Sequence, residues 1–375
     1  MILSGEKAKD TLKLSVQINN GFTDTSADGV NMAFDKKYGI MFCVYMPGPR
    51  GAYGESRGRI SLSYFPASQP TNIKFVTVSA GNHEYVPNIL SLGNGKVRVL
   101  YEKNSWAEGD HFIYYKDFDS LTETLSDEKI VMLNREDGVQ VELTESEQFK
   151  YLERKGFNNH TYFRPEQITI GGHTIFRGDD GCVYGAISSF LAEPILYRSS
   201  DDLATVEFFA VCPYTAQYEF DYKILNGKIY GIGRTNRDRS QGSIYYTCSE
   251  DMGVTWSEPE YFENSIQCRP RIILYNNDIL MSYNYFNDDT QNRPVIQSGR
   301  TSIKLVVGEE RRTVADLYSK CGIVNICLTD ILGEVYMAYS TSELALEYQN
   351  GNPSVRGKDA VRYVKLGDLM TDTEE

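Results

Sequence analysis

The sequence predicts an all-β protein, a six-bladed β-propeller with four-stranded antiparallel blades. Three observations carry that expectation. An alternating apolar hairpin recurs six times along the chain, as a radial repeat architecture requires. The composition suits sheets and tight turns, with 12% aromatics, 27 Tyr and 31 Gly in 375 residues. The segment Ser249–Trp256 (SEDMGVTW) has the chemistry of a β-turn between two strands. There Asp251 can accept backbone N–H groups, Gly253 supplies a positive φ, and Trp256 turns inward as an apolar plug between sheets.

Taken in order, the repeats are NMAFDKKYGIMFCVY from Asn31, NILSLGNGKVRVLYE from Asn88 and QITIGGHTIFRGDDGCVYGAIS from Gln167. They continue as DYKILNGKIYGIGRT from Asp221, RIILYNNDILMSYNY from Arg271 and VNICLTDILGEVYMAYS from Val324. Several carry Asn-Gly, Asp-Gly or Asn-Asn at the turn, the chemistry of two-residue and bulged hairpins. A second, less regular hairpin follows most of them (ISLSYF, HFIYYKDF, ILYRSS, SIYYTCSEDMGVTW, TSIKLVV), which makes four strands per period. YRSSDDLATVEF, from Tyr197, reads as a degenerate copy of the Ser249–Trp256 turn. The spacing is nearly even except between the second and third copies. There an acidic, partly helical insertion runs over about 134–160 and includes TESEQFKYLERKG. The N-terminal strand TLKLSVQI is expected to close the ring against AVRYVKL, and no linker divides residues 1–375 into two domains.

Charge and hydropathy exclude several classes. A net charge of −13 opposes a general nucleic-acid role or an anionic-membrane role. No apolar run is long enough to span a bilayer. The N-terminus lacks a long apolar core of the secretory kind, so a cytoplasmic protein is expected, or a secreted one if a leader has been removed. The seven cysteines are odd in number, lie among strand-like residues and lack metal-ligand spacing, which reads as buried free thiols in a reducing compartment. There is no H-E-x-x-H, C-x-x-C pair, P-loop or G-x-S-x-G element, so neither a metal nor a cofactor is expected.

In a propeller the innermost strand of each blade begins at one mouth of the central axis, beside the end of the antiparallel second strand. That geometry selects residues from the repeat itself. Inner-strand starts contribute Asn31, His83 with Glu84, Arg164 with Glu166, Glu219 with Asp221, Arg269 with Arg271, and Tyr318 with Lys320. Second-strand ends contribute Glu102, Lys103, Arg234 and Asn236, and His160 lies just before the third blade. The functional reading is a pocket in which neighbouring carboxylates acquire separated pKa values and divide acid and base roles. Arginines there bind a substrate carboxylate in bidentate fashion. The alternative reading is that the Arg and Glu side chains satisfy one another around the axis. For His160 the alternative is an ordinary polar surface residue.

S-x-D-x-G-x-T-W at Ser249–Trp256 resembles the Asp box of bacterial neuraminidase-like proteins, a rim element that lies away from the chemistry. The stretch from Tyr218 to about Arg300 is similar to the central part of the exo-sialidase superfamily. There a Glu opens blade four, an Arg ends its second strand, the box follows, and another Arg lies in blade five. The matching residues here are Glu219, Arg234, and Arg293 or Arg300. The resemblance implies a Glu that assists a nucleophilic Tyr, and arginines of a triad that grips the sialate carboxylate. The chain departs from that pattern at three places. Asp28-Gly29-Val30-Asn31 stands where an Arg-Ile-Pro-like element is expected, and Val324 stands at the nucleophilic Tyr position, with Tyr318 six residues earlier. No acid/base Asp is identifiable between blades one and two, where Glu55 and Glu84 are the nearest carboxylates.

The leading expectation is an exo-acting glycoside hydrolase with a carbohydrate substrate ending in an acidic sugar or a plant-type glycan unit. Glu219 serves as nucleophile or base, with Asp221 beside it, and Glu84 or Glu166 protonates the leaving oxygen. Arg164, Arg234, Arg269 and Arg271, with Tyr318, bind the anionic group. A carboxylate gap near 5 Å implies retention and roughly 6.5–9.5 Å implies inversion. A polysaccharide lyase would instead use His160 or a mouth Tyr to abstract a proton beside a uronate carboxylate. A non-catalytic glycan-binding propeller would use Trp106 and Tyr162 as stacking platforms.

Overall fold

A computed structural model describes residues 12, 15–19, 27–47, 59–80, 84–105, 110–157, 173–189, 192–216, 219–235, 242–285, 302–319, 323–341, 361–367 and 370. They form six small sheets arranged in a ring, a six-bladed β-propeller. Blades one, four and five are four-stranded meanders that open with Ala27–Asp35, Phe220–Leu225 and Arg271–Tyr275. Blade six opens with Val324–Ile331, and its outer edge is closed by the N-terminal strand. Val16 pairs with Tyr363 and Gln17 with Arg362, so the two ends of the chain share one sheet, as expected. The hydrogen-bonded edge that an open ring would leave is thereby removed.

The alternation along each strand explains why the ring holds. In the second strand of blade one, Ile40–Pro47, Phe42 and Val44 pack toward blade two, whereas Met41, Cys43 and Tyr45 pack toward blade six. Strands buried on both faces read as near-continuous apolar runs. The described core accordingly divides into six clusters, one in each seam between neighbouring blades. The tight turns match their sequence chemistry: Asn226 and Gly227 take φ of 53° and 76°, and Asn276 and Asn277 take 51° and 59°. Positive φ at both central residues is what a type I′ hairpin requires. The six cysteines among the described residues are all free.

In the turn at Ser249–Trp256, Asp251 accepts a backbone N–H as expected, and Ser249 is a second acceptor. Asp251 Oδ1 accepts from Thr255 N at 2.8 Å and Oδ2 from the Thr255 hydroxyl at 2.6 Å, while Gly253 N donates to Ser249 Oγ at 2.7 Å. Gly253 has φ of 92°, and a Cβ there would lie 2.4 Å from that of Ala210, so the close approach of blade three also demands glycine. Trp256 turns in against Phe220 at 6.4 Å in the seam between blades three and four. The segment from Tyr197 repeats this bonding: Leu203 N donates to Ser199 Oγ and Thr205 N to Asp201 Oδ1, both at 2.8 Å. Leu203 takes the glycine position with φ of 70°, and its fully buried side chain fills the seam between blades two and three.

Bonds from the side chain and backbone of Thr255 pull the Asp251 carboxyl down to about 2. Because that value lies below the unfolded reference of about 3.9, the carboxylate stabilises the fold fully above that pH, and the contribution is lost as pH falls toward 2. The urea midpoint of Asp251→Asn is therefore expected to sit below that of the parent at neutral pH, and the two should converge in acid. A gap that stays constant down to pH 2 would show that the carboxylate charge is irrelevant.

The sequence departs from the four-strand expectation at blades two and three. Blade two carries an extra two-residue strand, Thr124–Leu125, and blade three has six strands. The predicted insertion accounts for the second case. Met132–Asn134 pairs in parallel with Thr205–Glu207 on the outer edge of blade three, and Gln140–Glu142 adds one strand beyond it. A helix, Glu145–Arg154, follows, capped by Thr144 Oγ1, which accepts from Glu147 N at 3.3 Å. Its Gln148, Tyr151 and Leu152 are buried at helical spacing, and the last two enter the seam between blades two and three. No helix among the described residues is long and apolar enough to cross a membrane.

Candidate functional site

The starts of the inner strands do meet at the axis, and side chains join them into a closed circuit. Asn31 of blade one donates from Nδ2 to Pro87 O at 2.8 Å, and Asn88 of blade two donates to His173 O, ahead of blade three, at 3.0 Å. Thr174 donates its N–H and its hydroxyl to the two carboxylate oxygens of Asp221 in blade four, each at 2.9 Å. Ile272 N of blade five donates to Asp221 Oδ2 at 3.2 Å. Arg271 then donates from Nε to Ile326 O of blade six at 2.6 Å and from Nη2 back to Asn31 Oδ1 at 2.8 Å. Blades one to five are thus stapled in succession, and Arg271 ties blade five both to blade six and back to blade one.

This circuit corrects two expectations. Asp221 and Arg271 are both 0% exposed, so they form the floor beneath the mouth and not its walls. Burial, with Arg269 alongside, lowers the Arg271 guanidinium to about 10. Arg271 Nη1 lies 3.8 Å from Asp221 Oδ2, and Lys223 Nζ lies 3.6 Å from Asp221 Oδ1. Mutual satisfaction, the alternative to function weighed above, fits these two residues.

Glu219, Arg234 and Arg269 occupy the same end of blades four and five. Glu219 Oε2 accepts from Arg234 Nη1 at 2.9 Å, with side-chain exposures of 13% and 20%, so this pair reaches solvent. The register explains it: Phe220 pairs with Gly233, which leaves Glu219 opposite Arg234 at the end of the ladder. Arg269 is 5% exposed, and its Nε and Nη1 have no hydrogen-bond partner among the described residues. It acts electrostatically on Arg271 and on His173. An enclosed guanidinium with unused donors is costly unless an anion completes it.

Glu84 also opens an inner strand, but its side chain is fully enclosed. It accepts from the Ser79 hydroxyl and faces Lys103 at 3.5 Å, and burial raises its pKa. Lys103, at the end of the second strand as expected, is shared with Glu128 at 2.6 Å. Tyr318 was placed with the start of blade six. It instead ends the outer strand of blade five, Arg312–Tyr318, paired with Ser302, which puts it away from the axis. The turn at Gly308–Arg311 joins this strand to Ser302–Val307 as a hairpin of blade five. His160, Arg164, Glu166, Arg293, Arg300, Glu55, Trp106 and Tyr162 lie outside the described residues.

Two groups escaped the sequence reading. Lys223 is 4% exposed beneath the floor, and burial lowers its pKa. Asp221 and Lys223 lie two apart in the strand Phe220–Leu225, so period-two spacing puts the lysine on the same side. His173 is 1% exposed, with its Nε2 3.3 Å from Tyr197 Oη. Burial, then Arg271, Lys223 and Arg269, hold it well below the usual imidazole range, so it stays neutral. No local pattern marked it. Among the described residues no three His, Cys, Asp or Glu side chains are grouped to hold a metal ion.

No protein-family model matches the sequence, and no curated protein sequence matches it. Solved structures do. The Hadza microbial sialidase Hz136 superposes with a TM-score of 0.63 at 12% identity, over 95% of this chain and 69% of its own. A Dyadobacter fermentans protein of unknown function gives 0.61 at 12% identity, over 94% of this chain and 97% of its own. Trypanosoma rangeli sialidase in complex with sialic acid gives 0.57 at 12% identity, over 95% of this chain and 57% of its own, so this chain spans little more than half of that protein. The class defined is a six-bladed propeller whose structural neighbours include sialidases. At such identities the likeness concerns the fold alone.

Proposed function

We infer that this propeller is a glycoside hydrolase that removes a terminal acidic sugar. One observation carries the reading: the enclosed Arg269, with two unused nitrogens, lies at the same mouth as the solvent-reaching Glu219–Arg234 pair. A carboxylate on the sugar completes Arg269 with charge-assisted bonds. Glu219, oriented by Arg234, attacks the anomeric centre or activates the group that does. Glu84, one candidate for protonating the leaving oxygen, is enclosed between Ser79 and Lys103, and Glu166, the other, lies outside the described residues. The sialidase neighbours support the same chemistry by fold.

The test is turnover of a panel of aryl glycosides and oligosaccharides ending in carboxylated sugars, with the released sugar identified. Arg269→Met is expected to lower kcat/KM by roughly 10²-fold on an acidic substrate, the scale of one or two charged hydrogen bonds, and to spare any neutral analogue that is turned over. Absence of sugar release from every acidic glycoside would overturn the reading. So would an unsaturated, ultraviolet-absorbing product, which identifies elimination.

A further inference from the structure

Among the described residues, three neighbouring blades begin their inner strands with the same irregularity. The pairing register shifts between Asp28 and Asn31 in blade one, between Tyr85 and Asn88 in blade two, and between Val324 and Cys327 in blade six. The first bulged residue takes a positive φ each time: 65° at Gly29, 34° at Val86 and 50° at Asn325. Such a bulge favours glycine at this position, and asparagine tolerates it. A β-branched residue does not. The inner strand of blade four, by contrast, pairs from Phe220 to Leu225 without a break.

Val86 is therefore the strained member of the set. It also precedes Pro87, whose Cδ restricts the backbone before it. The surroundings hold it in place. Pro87 O accepts from Asn31 Nδ2 at 2.8 Å, and a Cβ on Gly29 would lie 3.2 Å from Pro87 Cδ and 3.7 Å from Val86 Cα, so the bulges of blades one and two pack against each other.

Core packing does not explain the strain. Val86 is half-buried between two buried residues, Glu84 and Pro87, and it belongs to none of the six described core clusters. Its strand, Glu84–Gly93, ends the sheet of blade two on the inner side, so its free edge looks onto the central axis. The carbonyl of Pro87 belongs to the floor circuit, which puts Val86 one residue nearer the mouth. In a ring of six, blade two lies across from blade five, which carries Arg269.

We propose that Val86 is a specificity-determining residue, an apolar wall held across the mouth from Arg269. The C–H face of the acidic sugar packs on it while the carboxylate reaches the guanidinium. This rests on the glycosidase reading above and narrows it to sugars with an unsubstituted C–H face on the side away from the carboxylate. Backbone strain of this kind persists where the surrounding structure over-determines it, and it gathers at ligand-binding positions.

Val86→Asn and Val86→Gly introduce the residue types that blades six and one carry at this position, and both remove the wall. Asparagine also relieves the strain without adding the backbone freedom of glycine, so the urea midpoint of Val86→Asn is expected to equal or exceed that of the parent. Titration calorimetry with free glucuronic acid and free sialic acid reads the wall without requiring turnover. The acid that the parent binds more tightly should bind each variant roughly tenfold more weakly, the effect of losing one apolar contact. In turnover the loss should fall on KM, with kcat little changed. A lower midpoint in Val86→Asn would make Val86 a packing residue and overturn the wall, as would unchanged binding in both variants. Arg269→Met separates that outcome from failure of the glycosidase reading. Binding lost there but kept in both Val86 variants removes the wall alone, whereas a parent that neither binds nor releases an acidic sugar removes both.

Discussion

Glu219→Gln is expected to lower kcat by roughly 10²–10⁴-fold, the range in which a positioned acid, base or nucleophile contributes. The substitution is nearly isosteric, and the amide oxygen can still accept from Arg234 Nη1, now 2.9 Å from the carboxylate. Folding and substrate binding should therefore persist, with KM changed little and the urea midpoint unmoved. A loss confined to kcat would separate chemistry from binding. The pair lies at the end of the blade-four ladder, outside the circuit that closes the floor, which is why the variant should remain folded. Unchanged turnover in Glu219→Gln, on a substrate the parent hydrolyses, would remove this residue from the mechanism.

Arg271→Met carries the largest expected effect on stability, about 3–5 kcal/mol, the cost of removing one member of a buried charge network. Among the described residues the bonds to Ile326 O and Asn31 Oδ1 vanish, and both acceptors stay buried. Asp221 also loses the guanidinium 3.8 Å away. Arg269→Met provides the contrast. Two residues upstream and nearly as enclosed, Arg269 leaves Nε and Nη1 unbonded, so its replacement is expected to leave the ligand-free protein equally stable or more stable. Urea unfolding of the two variants decides the matter. If both lose several kcal/mol, Arg269 belongs to the scaffold and its role as an anion-binding group falls; if Arg271→Met is neutral, the circuit does not hold the blades.

Much of this was legible in one dimension because it depends on short-range periodicity. Alternation in IMFCVYM, Asn-Gly and Asn-Asn at the turns, and the six-fold recurrence place the blades without any long-range contact. In the Ser249–Trp256 turn, Asp251 as acceptor and the positive φ of Gly253 were readable, because the bonds lie within the segment, whereas Ser249 Oγ as a second acceptor was not. The convergence of Glu219, Arg234, Arg269 and Arg271 also followed from the repeat, because each lies at a strand end that the propeller turns toward one mouth.

The roles of those residues were not legible. Sequence spacing makes Arg269 and Arg271 equivalent, two positions apart at the start of one inner strand. Tertiary structure gave Arg271 the Asn31 side chain, some 240 residues away in the chain, and gave Arg269 no partner for two of its nitrogens. His173 was hidden for the same reason, since the charges that act on it belong to other blades. What the amino-acid sequence determined by itself was the strand pattern, the turns and the number of blades, all set by local sterics and the burial of alternate faces. Only the closed ring decided which charges are neutralised by protein and which are left for another molecule. That choice depends on distances between residues far apart in the chain, and on desolvation, which no local pattern encodes.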